Sequence, residues 1–128
     1  MSARRASRWF AIFCAVFLLA QGLSTLVARQ VAAVDRAVPW LLATTHMQPL
    51  HSMLHIATAL LAVAVLRAGA RATWWFAAGF GGFYLTLGVV GVLSGRGLGL
   101  HLQPFDHPFH LLLGGLGVAA TFASRERS

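Results

Sequence analysis

The chain has no lysine, a single cysteine and only three acidic residues, Asp35, Asp106 and Glu126, against ten arginines. One cysteine excludes a disulfide framework and any CxxC motif. Cys14 lies within an apolar run and reads as a small buried residue. Three scattered carboxylates exclude acid–base chemistry by a carboxylate pair. There is also no Ser-His-Asp arrangement and no Gly-Lys phosphate loop. These absences argue against an enzyme, and leave only redox work by a bound group outside the exclusion. The formal net charge of +7 invites nucleic acid as a partner, but the arginines flank apolar runs instead of forming one patch, so none is expected.

What is abundant is apolar sequence. The 128 residues are 58% hydrophobic and 10% charged, with mean hydropathy +0.72. That exceeds what a soluble core of this size requires and points to the lipid bilayer as solvent. Four runs stand out, at 9–28, 50–66, 74–94 and 105–123. About 20 apolar residues cross the hydrocarbon as a helix, with about 17 as the lower limit. In lipid the backbone must satisfy itself, so each run is expected to be helical. Residues 1–128 then form one transmembrane domain. Seven arginines (Arg4, Arg5, Arg8, Arg67, Arg71, Arg125, Arg127) would face the cytoplasm if both termini are inside, and three (Arg29, Arg36, Arg96) would face out. This bias predicts termini in the cytoplasm of a bacterial plasma membrane. Trp9, Trp74 and Trp75 fall at the inner interface, and Trp40 in the outer loop. The first run also has the basic flank of a signal peptide, but its match to the third run predicts that it is retained.

That match belongs to an internal repeat. His46-Met-Gln48-Pro49 returns 55 residues later as His101-Leu-Gln103-Pro104, with His55 and His110 each nine residues on. Seven of nineteen positions agree between 46–64 and 101–119. Trp9-Phe10-Ala11 returns as Trp75-Phe76-Ala77, and Phe17, Leu19 and Gly22 as Phe83, Leu85 and Gly88, at an offset of 66. The fold class expected is all-α: an integral membrane four-helix bundle of two transmembrane hairpins, repeated in parallel. The first copy has eleven more residues, in the outer loop 29–48, where 31–42 has the composition of a short interfacial helix.

Gly81, Gly82, Gly88, Gly91 and Gly95 in the third run, and Gly114, Gly115 and Gly117 in the fourth, suit close helix contact. At helical spacing His107, His110, Gly114, Gly117 and Thr121 share one face, as do His51, His55, Thr58 and Ala62. These faces are expected to turn into the bundle. Gln21, Ser24, Thr25, Tyr84 and Thr86 are candidates for hydrogen bonds between helices. All six histidines fall at the outer end. The repeat pairs His55 with His110 and His51 with Asp106, so a two-fold axis would gather three imidazoles and a carboxylate. That set suits zinc or copper. A haem held by His55 and His110 is the related alternative. Against both stands a structural role, in which the imidazoles hydrogen-bond loops, headgroups or Asp106.

His51-Ser-Met-Leu-His55-Ile and Asp106-His107-Pro-Phe-His110-Leu-Leu-Leu-Gly114, with the glycine-rich Gly81–Gly91 stretch, resemble the paired signatures of a four-span bacterial membrane family, domain of unknown function 4383 (DUF4383). The resemblance covers residues 9 to 124. Ser52 and His107 stand where that family tends to have Asn, and Ala59 where it tends to have Gly. It implies a multi-pass plasma-membrane protein and supplies no reaction, substrate or ligand.

Three functions follow as expectations. The leading one is a structural or accessory membrane protein acting through a membrane-protein partner or self-association, without a cofactor. The second is a metal- or haem-binding redox protein using the outer histidines. The third is a proton- or ion-linked transport subunit, for which so few acidic residues make a poor conduction path.

Overall fold

The computed structural model describes residues 4–37, 48–94 and 106–124, and among them every regular element is helical. The helices are α1 (Arg4–Gln30), α2 (Ala32–Ala37), α3 (Pro49–Ala68), α4 (Ala70–Ser94) and α5 (Asp106–Ala123). The four predicted runs correspond to α1, α3, α4 and α5. The expectations for Trp40, His46, Gly95, Arg96, His101 and the C-terminal arginines lie outside the described residues.

Three helices are long and apolar enough to cross a membrane: α1, α3 and α4. α5 has 18 residues, but its first five include Asp106, His107 and His110, which lowers its apolarity. The six-residue α2 follows α1 after Val31, whose N–H donates to the Val27 carbonyl.

Proline at the first position starts α3, where the missing N–H has no intrahelical partner to lose. One residue, Gly69, joins α3 to α4. Its φ of 105° lies where a side chain is strained. Its N–H donates to the Val65 carbonyl and its own carbonyl accepts from the Thr73 N–H, so both of its backbone groups are paired across the turn.

α1 packs mainly on α3, and α4 on α5; smaller interfaces join α1 to α4, α3 to α4 and α1 to α5. Among the described residues no Cα of α3 comes within 8 Å of one in α5. The core between the pairs contains Phe10, Ala11, Cys14, Leu18, Ala59, Ala62, Phe76, Phe80, Tyr84 and Leu113. Cys14 is fully buried, as its place in an apolar run predicted.

Burial follows the two offsets seen in the sequence. Ser7, Phe10, Ala11, Cys14, Ala15, Leu18, Gly22 and Thr25 are buried in α1, and so are the α4 residues 66 positions later: Thr73, Phe76, Ala77, Phe80, Gly81, Tyr84, Gly88 and Gly91. The five buried residues of α3, His51, Ser52, His55, Ala59 and Ala62, map by 55 onto buried Asp106, His107, His110, Gly114 and Gly117.

Close contacts follow the same offsets. A Cβ on Gly22 would lie 2.8 Å from Ile56 Cγ1, and one on Gly88 2.7 Å from Leu111 Cγ, 55 positions after Ile56. Thr25 and Ser52 share a buried 2.8 Å hydrogen bond. Their counterparts, Gly91 and His107, meet differently: the imidazole fills the place that Gly91 leaves empty. Small with small in one pair, and large with none in the other, keep both interfaces filled.

Outward, the helices present Val16, Leu23, Leu60, Val92, Leu93, Leu112 and Phe122, all exposed. Such broad apolar exposure is foreign to a soluble monomer. At one end Ser124 Oγ donates to Ser7 Oγ at 3.0 Å, Trp74 Nε1 donates to the Thr121 carbonyl at 3.2 Å, and Arg71 lies beside them. The histidines of α3 and α5 sit at the opposite end.

Candidate metal centre

His51 and His55 are one helical turn apart on α3 and project from the same face. Their rings meet edge to face, with centroids 4.5 Å apart at 83°. His110 of α5 approaches from across the bundle, its centroid 6.1 Å from that of His51. One ligand nitrogen from each of the three lies within 4.8 Å of the others. The side chains therefore span a gap that the backbones of α3 and α5 do not close. All three are buried, His55 and His110 to 2% exposure.

Neither nitrogen of His55 has a hydrogen-bond partner, nor has Nδ1 of His110. A neutral imidazole offers one donor and one acceptor. Leaving such a buried group unmet costs about 1–3 kcal/mol. A cation between the rings would take up one lone pair from each ring.

Of the four residues expected to form the site, the structure gathers His51, His55 and His110. Asp106, buried at the start of α5, stands outside the trio, and its charge acts on His51. A carboxylate behind a ligating histidine is a common outer-shell arrangement. His107 shares the expected buried stripe, but its ring packs against α4 at Gly91 and leaves Nδ1 unpartnered there.

The aromatic wall of the site was not anticipated. Tyr84 meets His110 edge-on at 5.0 Å and stacks on Phe80 at 4.1 Å. The signal was present in the sequence: Phe76, Phe80 and Tyr84 recur every four residues and mark one face of α4. Tyr84 had been expected only as a hydrogen-bonding group between helices.

A cavity of about 410 Å³ opens beside the trio. His51, His55 and His110 form its polar end, and Leu54, Leu61, Trp75, Phe83 and Leu87 are among its apolar walls. It runs as a groove between α3 and α4. No family model, curated protein or solved structure matches the chain. The resemblance drawn from the sequence rests on its quoted residues alone.

Proposed function

We propose that the protein is an integral membrane protein that binds one transition-metal ion, zinc or copper, through His51, His55 and His110. The observation that carries this is the meeting of three buried imidazoles whose ligand atoms lie within 4.8 Å of one another, with three of their nitrogens unpartnered. Ligands around tetrahedral zinc, at about 2.0–2.1 Å from the ion, sit roughly 3.3–3.4 Å apart, so small rotations of the rings close the site. Three convergent nitrogens suit such an ion better than a haem, which takes two opposed axial ligands. The geometry thus favours the second expectation over a purely structural role.

The metal reading includes the doubled hairpin. The burial offsets and the paired contacts of Gly22 and Gly88 support two related halves. In that arrangement α3 and α5 run in the same direction, and the site forms where their starts converge. The arginine bias puts this end on the outer side of a bacterial plasma membrane, with both termini inside. Three apolar helices and the lipid-like outer surface support membrane insertion.

The test is elemental analysis of protein purified in detergent and reconstituted with zinc or copper. Close to one equivalent is expected, falling below a tenth in the His55→Ala, His110→Ala double variant. Less than a tenth of an equivalent in the unaltered protein removes the metal reading.

A further inference from the structure

We propose that a long-chain carboxylate, a free fatty acid taken from the bilayer, binds with its head at the open fourth position of the metal centre and its chain in the groove between α3 and α4. This rests on the metal reading above. Three protein ligands and one open position are the pattern of zinc sites that accept a further group.

Charge selects the head. A divalent ion held by three neutral imidazoles leaves two positive charges in a site buried by low-dielectric walls. Asp106, buried at the start of α5 near His51, lies close enough to offset part of this charge. An anionic oxygen ligand offsets the positive charge that remains, and an unpaired buried charge is strongly disfavoured.

Shape selects the tail. The groove's lining runs on α3 from His51 to Leu61 and on α4 from Leu87 to Trp75, about 15 Å and 18 Å at 1.5 Å per residue. Beyond the histidines, its walls are mainly aliphatic and aromatic; the hydroxyls are those of Tyr84 and of Thr58, which donates to the Leu54 carbonyl of its own helix. Leu54, Leu61, Phe83 and Trp75 line the groove and are also exposed, so its mouth faces sideways, where the acyl chains of a bilayer lie. Lipid is as apolar as the groove, so the tail gains little by entering. The head at the metal then holds the molecule, and the tail concentrates that head in the bilayer beside the mouth, where a short carboxylate dissolved in water does not accumulate. Gly79 lines the groove, and a Cβ there would meet nothing within 4 Å. A large side chain at this position therefore fills the groove without disturbing the helix contacts.

The test uses the full chain in lipid nanodiscs, loaded with cobalt(II), whose visible bands report its ligands. Oleate is expected to change these bands and saturate near one equivalent, with acetate and methyl oleate having no effect at the same concentration. In Gly79→Phe cobalt should still bind, with the oleate response at least tenfold weaker. Quenching of tryptophan fluorescence by a brominated fatty acid should follow the same order and decline when the metal is removed. Cobalt binding with no response to oleate overturns the fatty-acid proposal and leaves the metal centre standing. An equal response to acetate, or an undiminished one in Gly79→Phe, also overturns it. Failure of cobalt to bind overturns both.

Discussion

Gly114 and Gly115 are neighbours in sequence and opposites in space. A Cβ on Gly114 would collide with the backbone of Leu85, whereas one on Gly115 would meet nothing within 4 Å. One position along a helix is about 100° of rotation, enough to move a side chain from the contact face to the outside. Gly114→Ala should lower the thermal midpoint of the detergent-solubilised protein, by an overpacking cost of about 1–3 kcal/mol. Gly115→Ala should be neutral or slightly stabilising, since alanine is the better helix former by up to about 1 kcal/mol. The same contrast separates Gly81, which faces the Gly117–Val118 backbone, from open Gly82. The sequence showed glycines crowding two helices, but not which of them made contact, because composition has no phase. Phase came from the spacing of the histidine stripe: His110, Gly114, Gly117 and Thr121 are all buried, as that spacing implied.

At the scale of helices, the polar residues divide by what they reach. Thr25 and Ser52 join α1 to α3 through a buried hydrogen bond. Ser24 and Thr86, expected in the same role, donate back to Gln21 and Gly82 of their own helices. This back-bonding is open to any helical serine or threonine, so residue type alone does not identify an inter-helix bond. Thr25→Val and Ser52→Ala should each destabilise, and the double variant should cost less than their sum. Membrane cycles of this kind measure couplings of about 0.6 kcal/mol on average. Chemical unfolding of the four proteins in mixed micelles would read this, and strict additivity would deny the bond any weight. The long helices themselves were legible from hydropathy, with ends shifted by a few residues. α5 was legible as a helix but does not reach the apolarity of the other three, because its first five residues include Asp106, His107 and the site residue His110.

For the whole molecule, the sequence suggested a doubled plan through its matched His, Gln and Pro, and the burial pattern at the same two offsets supports that reading. The convergence of His51, His55 and His110 was readable as well, since the repeat paired the two helices that supply them. The groove was not, because it forms from a shortfall of packing between α3 and α4, which no local pattern records. Orientation can be tested directly: a reporter active only outside the cytoplasm should be active when fused after residue 96 and silent after residue 69. The reverse result would put the histidine end inside. The gap between α3 and α5 has a mechanical consequence. No backbone contact holds these two helices together, so an ion seated on His51, His55 and His110 acts as a strut across the open diagonal of the bundle. On the metal reading, ligand linkage makes stability depend on metal supply, by about 2.7 kcal/mol at a hundredfold excess over the dissociation constant. Without the proposed ion, the protein should loosen first between these two helices, while the arginine end, tied by Ser7, Ser124, Trp74 and Thr121, stays closed.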